Sequence, residues 1–313
     1  MAQIPLFVGI DVSKHRLDVH IHPTGETFKA TNDRAGLNAL VARLRRLDGL
    51  QIVCLEATGG LEGPALRRLS RAGLPCRLAA PDEVRAFARL SRQRAKTDRL
   101  DAAMIARFAS VIEGRAHQPS PHRDRLAGAV RLRSQLVEMA AMLKTQLSQV
   151  TEKRLDEIAR SALRALERRI ARVEALIEAR IAGDAELARR DGLIRSIPGL
   201  GRVAAWVLAA RMPELGGLSP GAAAALLGVA PYDHQSGGSA RRKRIRGGRS
   251  DVRKVIYMAA LVAPRWNPEL AGFRARLLAQ GKAKKLVVVA VMNKLIRIAN
   301  AVLARGTPWT PTA

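Results

Sequence analysis

The sequence holds few aromatic side chains, with five Phe, three Trp and two Tyr among 313 residues. That is too few for the platforms on which single-stranded bases stack, so the nucleic-acid surface it suits is the backbone of duplexes or structured RNA. Cysteine is scarcer: Cys54 and Cys76 are the only two, each in an apolar, strand-like context. Two buried free thiols are expected, in preference to a disulfide or a metal pair. The six His residues show no metal-ligand spacing. No apolar run reaches the roughly 18 residues of a membrane span, since the best candidate, Leu286 to Met292, is broken by Asn293, Lys294 and Arg297. The start, MAQIPLFVGIDVSK, has no basic segment followed by a long apolar stretch, so no secretory signal or membrane partner is expected and the cytoplasm is the expected location. Acidic residues are also in deficit, 27 against 54 Lys and Arg, for a net charge of +27. The expected partner is a polyanion.

Apolar residues make up 48% of the chain, enough for a globular protein of two domains. The charge is uneven: residues 1–115 carry 19 basic and 12 acidic side chains, whereas 191–313 carry 20 and 5. The C-terminal part is the main electrostatic arm. Alternating apolar residues predict strands over 6–12, 16–22 and 26–30, with Pro23 and Gly25 marking the second turn. Leu37, Leu40, Val41, Leu44 and Leu47 recur at helical spacing opposite Arg43, Arg45 and Arg46, predicting a helix over 32–47. A strand over 51–55, a helix over 62–71, a strand over 76–80 and a helix over 82–90, opened by Pro81, follow. A meander followed by αβ units makes a mixed sheet with helices on its faces, the arrangement of ribonuclease-H-like folds.

Between Gly128 and Gly183 there is neither Gly nor Pro. Leu132, Leu136, Met139, Leu143 and Val150 form a heptad seam interrupted only by Gln146, and a second seam runs Ile158, Ala162, Leu166, Ile170, Val173, Ile177, Ile181. The second seam is either a continuation or the return arm of a hairpin around Thr151. A core element within one chain and a coiled coil between chains are both compatible with it; the length, at about 1.5 Å per residue, favours the second. From Asp191 onward the chain is Gly- and Ala-rich and helical, with loops at Pro198, 213–220 and 231–248. The expected organisation is thus α/β plus α: a mixed-sheet domain over 1–115, long coiled-coil helices over 116–190 and a mainly helical domain over 191–313.

Asp11 ends the first strand and Glu56 follows the fourth, and in this topology those strands are neighbours. Both carboxylates then emerge at one sheet edge, where open α/β sheets place their sites. Asp98 and Asp101, in AKTDRLDA, open a helix three residues apart and project from one face. Clustered carboxylates repel, so protons or a cation must join them. Hard oxygen ligands without His or Cys indicate Mg²⁺ or Mn²⁺, ions that assist phosphodiester displacement. Taken singly the acids have plainer readings, Asp98 as an N-cap, Asp101 as a complement to the helix dipole and Asp11 as a strand-end turn residue. Their joint placement on three separated elements is what favours the site.

The stretch APYDHQSGGSARRKRIRGGRSDVRK sets Ser236 and Ser239 in a flexible Gly-rich loop ahead of eight cations between Arg241 and Lys254. Residue chemistry alone makes this a nucleic-acid-binding loop, through Arg241, Arg242, Lys243, Arg244, Arg246 and Arg249, or a catalytic one in which a hydroxyl meets a phosphate. His234 reads as an exposed loop residue. Upstream, SIPGLGRVAAWVLAA is similar to half a helix-hairpin-helix, with the Gly199 and Gly201 amides facing a phosphate; a plain Pro-Gly turn before a buried helix is equally compatible. Lys282, Lys284 and Lys285 read as a solvated helix start or as a further phosphate grip.

In GIDVSK, LEATGG, AKTDRLDA and the QSGG-basic-GGR stretch, the chain resembles the DEDD-type insertion-sequence transposases, which join a RuvC-like N-terminal domain to a C-terminal serine domain. The resemblance runs over most of the chain, in the expected order. It implies that Asp11, Glu56, Asp98 and Asp101 bind catalytic Mg²⁺, and that Ser236, with Ser239 as the alternative, is the nucleophile that cuts and rejoins donor and target DNA. It further implies a bridge RNA as guide, and a homodimer or homotetramer whose site combines one subunit's carboxylates with another's serine. Two other functions fit the residues: a metal-dependent nuclease or junction resolvase that uses water, and a non-catalytic nucleic-acid-binding protein.

Overall fold

A computed structural model describes residues 4–91, 98–114, 120–232, 235–236, 239–240, 244–245 and 247–311. The chain divides into two compact units, residues 1–119 and 120–313.

The first unit is built on β1 (Leu6–Val12), β2 (Arg16–His22), β3 (Thr27–Thr31), α1 (Arg34–Leu44), β4 (Leu50–Glu56), α2 (Gly63–Arg71), β5 (Cys76–Ala79), α3 (Pro81–Leu90) and α4 (Asp98–Val111). The five strands form one sheet in the order β3-β2-β1-β4-β5. β2 runs antiparallel to β1 and β3, while β4 is parallel to β1 and β5. Alternation along the strands divides the core in two. Val8, Ile10 and Val12 face Leu37, Leu40 and Leu44 of α1 and Leu66 and Leu69 of α2. Cys54 and Ala79 face the other way, toward Val84 of α3 and Met104, Ile105 and Phe108 of α4. Both cysteines are free and buried, as expected. Burial pushes the Cys54 thiol up to about 12 and that of Cys76 up to about 11.

The second unit opens with a helical hairpin, α5 (Pro121–Leu147) and α6 (Lys153–Ala182). The two helices pack on each other within the chain, so the second seam is a return arm, turning at 148–152. The root of the hairpin belongs to this unit's core, through Leu126, Ala129 and Val130 of α5 and Ile177 and Ile181 of α6. Farther along, Leu132, Met139 and Met142 on α5 and Leu155 and Ile158 on α6 are exposed. Next come α7 (Ala185–Arg195), α8 (Arg202–Arg211), α9 (Pro220–Leu227), four two-residue strands, α10 (Ser250–Val262), α11 (Pro268–Ala279) and α12 (Lys284–Arg305). Ala204 to Ala210 of α8 are buried without interruption, which marks α8 as the central helix of the unit. By length and composition α12 is apolar enough to cross a membrane. Its Val291, Leu295, Ala299 and Val302 are instead core residues of this unit.

Candidate active site

In the β1–β4 ladder Ile10 pairs with Leu55, so Asp11 and Glu56 each lie one residue beyond the last shared pair. Their backbones are therefore side by side, about 4.8 Å apart, at the carboxyl edge of the sheet. Gly9 and Asp11 share a face of the sheet, as do Cys54 and Glu56. Cys54 packs with α4, so both carboxylates emerge on the α4 side, each half-buried.

Gly9 fixes where α4 lies. A methyl group there would stand 2.2 Å from the Ala102 carbonyl oxygen and 2.3 Å from the Ala106 amide nitrogen. Only a residue without a side chain lets the helix backbone rest directly on β1. Position 101 is next to this contact and position 98 one turn before Ala102, while Asp11 is two residues from it on the strand. The structure thus brings Asp11 and Glu56 together at one edge of the sheet, on the face where α4 packs. The side chain of Asp98 lies outside the described residues. Among those described, no three of His, Cys, Asp and Glu are gathered as a finished ion cage. The donor set, carboxylates alone on converging backbones, is of the hard-oxygen kind that suits Mg²⁺ or Mn²⁺.

A fifth acid was not singled out from sequence. Asp18 sits opposite Asp11 in the β1–β2 register and is only 6% exposed. Arg16 Nε donates to its Oδ2 at 2.8 Å. The signal for it was alternation: in RLDVH, Asp18 occupies the same face as His20, directly across from β1.

The basic stretch of the second unit is a nested pair of ladders where a loop was expected. β6 (Pro231–Tyr232) pairs with β9 (Arg244–Ile245), and within it β7 (Gln235–Ser236) pairs with β8 (Ser239–Ala240), Ser236 opposite Ser239. Ser-Gly-Gly-Ser is the sequence of a two-residue hairpin connection, which explains why the serines are paired. His234, Gly237, Gly238, Arg241, Arg242, Lys243 and Arg246 lie outside the described residues. Arg244 falls on β9.

The base of this hairpin is tightly built. Gly228 and Gly248 both have positive φ, and a β-carbon on Gly248 would stand 2.2 Å from the Gly228 nitrogen. Arg253 Nη1 donates to the Gly247 carbonyl at 2.6 Å. Arg249 makes a two-pronged ion pair with Glu214, at 2.8 and 2.6 Å. Burial raises the proton affinity of Glu214, but the Arg249 hydrogen bonds and charge outweigh it and hold the carboxyl below its ordinary value of 4.5. Of the expected phosphate contacts, Arg249 is thus occupied with a structural partner. Gly199, at φ +99°, would place a β-carbon 2.3 Å from the Ala263 Cβ, so packing alone requires glycine there. Gly201 is the N-cap of α8, with open space around its α-carbon. Lys282, Lys284 and Lys285 are exposed around the start of α12.

Comparison with known proteins matches two stretches of the chain, the first running past the end of the first unit through α5. Residues 8–155 match the DEDD domain of IS110-type transposases, and residues 191–274 match the "Transposase IS116/IS110/IS902 family". The chain is similar to the pilin gene-inverting protein of Moraxella bovis, 25% identical over 97% of both chains, and to its counterpart from Moraxella lacunata at the same identity and coverage. A probable family 20 transposase of Pseudomonas aeruginosa is 30% identical over 60% of this chain and 55% of its own.

Proposed function

We propose, from the premise that this is a DNA recombinase carrying both IS110-family transposase domains, that it cuts and rejoins DNA through a serine on one domain and a carboxylate site on the other. The observation that supports the reading is the placement of Asp11 and Glu56 on neighbouring strands at one edge of the five-stranded mixed sheet, on the face where Gly9 lets the α4 backbone rest. Asp11, Glu56, Asp98 and Asp101 would hold Mg²⁺ or Mn²⁺, which supplies charge stabilisation for the oxygens that attack and leave phosphorus. Ser236 Oγ attacks a DNA phosphate, forming a serine–phosphorus ester as the bond to the departing sugar oxygen breaks and that oxygen takes a proton. Attack by a sugar hydroxyl of another strand reverses the step, and the serine regains its proton. Arg241, Arg242, Lys243, Arg244 and Arg246 neutralise phosphates beside the serine.

The pairing of donor and target is assigned to a bridge RNA. The exposed apolar stretch of the α5–α6 hairpin is the surface for a second copy, in a dimer or tetramer that brings one subunit's serine to another's carboxylates. The test is trapping. Wild-type protein with labelled substrate DNA is expected to yield a covalent adduct that survives denaturation, and Ser236→Ala to yield none and cut nothing. Cutting by Ser236→Ala without any adduct would replace this chemistry with hydrolysis by water at the same carboxylates.

A further inference from the structure

A second basic feature lies in the first unit. Between α1 and α2 is a groove of about 300 Å³ lined by Asn32, Asp33, Arg34, Pro64, Arg67, Arg68 and Arg71. Pro64, Arg67, Arg68 and Arg71 recur at i, i+3, i+4 and i+7, so one stripe of α2 supplies three guanidiniums. Arg34, at the start of α1, supplies a fourth. Among the described residues none of the four forms an ion pair. Arg68 is steadied by a hydrogen bond from its Nε to Asn38 Oδ1 at 2.8 Å. Arg34, Arg67 and Arg71 are exposed. The one carboxylate lining the groove, Asp33, is already engaged in capping α1, accepting from the Gly36 amide at 2.8 Å.

The groove's position gives this charge a use. β3 is parallel to β1 and β4, so α1 and α2 both begin at the carboxyl edge that carries Asp11 and Glu56. Asn32, at the groove's mouth, donates to the Ser13 carbonyl at 2.9 Å, two residues past Asp11. Arg67 and Arg71 are one turn apart, about 6 Å along the helix, a step of the same order as that between successive phosphates of a strand.

We infer that the Arg34–Arg67–Arg68–Arg71 groove binds the phosphodiester backbone of the DNA strand leading to the Asp11–Glu56 edge. The inference rests on the strand-transfer reading of that edge and adds a grip the C-terminal basic stretch does not provide. Guanidiniums facing phosphates through forked hydrogen bonds supply affinity and register without reading sequence.

The test uses the full chain, a fluorescein-labelled DNA duplex of mixed sequence and a single-stranded RNA of matching sequence, in EDTA so that no cleavage occurs. Arg67→Gln/Arg71→Gln is expected to weaken duplex binding tenfold or more and to lower the slope of log affinity against log salt by about two, one per lost phosphate contact. RNA binding and the thermal melt should not change, and neither should duplex binding by Arg46→Gln, on the same unit outside the groove. An unchanged duplex affinity and slope overturns the inference, as does a loss confined to RNA. Because binding is read without catalysis, that failure leaves Ser236 adduct formation untouched. A chain that binds through the groove but never forms the adduct would sink the strand-transfer chemistry instead.

Discussion

Gly9 is the residue on which the seating of α4 against β1 depends. Introducing a single methyl would force α4 off β1, because both atoms it meets at 2.2–2.3 Å are backbone. Gly9→Ala should therefore destabilise the first unit by about 1–3 kcal/mol, the usual cost of overpacking. It should also abolish strand cleavage while leaving nucleic-acid binding in place, which a binding assay beside a cleavage assay on the same preparation would show. Wild-type cleavage by Gly9→Ala would mean that the helix start is not part of the site. The sequence singled out Asp11, Glu56, Asp98 and Asp101 as candidates because they were expected at strand ends and a helix start, and the sheet register sets the backbones of Asp11 and Glu56 side by side. It did not reveal the role of Gly9, since a glycine inside a strand pattern has several readings until the helix lying over it is known.

At the scale of elements, the first unit was readable and the basic hairpin was not. Strands β1 and β2 fall on the residues that alternation marks, because seven residues of period two leave a clear pattern. Two-residue strands such as β6 to β9 leave none, and only the Gly-Gly between Ser236 and Ser239 hinted at their pairing. What secures that hairpin is its base, where Arg249, beside the start of α10, is held by Glu214. A carboxyl whose folded pKa is depressed adds stability that is fully present above its ordinary value of 4.5 and is lost as the pH falls through the lower folded value. Wild-type protein should thus loosen at the hairpin base in acid. Glu214→Gln should show the loss already at neutral pH, on the order of 1–3 kcal/mol for hydrogen bonds to a charged partner. Thermal melts of both proteins from neutral pH to below 4.5 would check this. Parallel curves would show that the pair contributes nothing.

For the whole molecule, charge and core have separate distributions. Both cores of the first unit are drawn from residues 6–109 alone. Residues 1–119 expressed without the rest should accordingly unfold cooperatively in urea and protect the β1 and β4 amides from exchange. A fragment lacking either property would show that the unit depends on the remainder of the chain. The polyanion partner was evident from net charge, but the second basic surface was not, because Arg34 and the α2 arginines are separated in sequence and meet only when α1 and α2 pack on the same face. The long apolar seams predicted helices of the right extent. They could not reveal that α5 and α6 would pair first with each other and leave only the stretch beyond their shared root exposed.

The bare α-carbon of Gly9 also affects how a map of intolerant positions would read. In a saturation screen for recombination, Gly9 should be as unforgiving as the acids beside it, although it offers no donor, charge or nucleophile. Intolerance at this corner would therefore overcount the chemistry. Substitutions that fail by displacing a helix should regain function when Ala102 or Ala106 is reduced to glycine only if the clash were with their side chains. Since it is with the backbone, no second-site change on α4 that merely trims a side chain should rescue Gly9→Ala, whereas a lost carboxylate should respond to changes in the metal supplied.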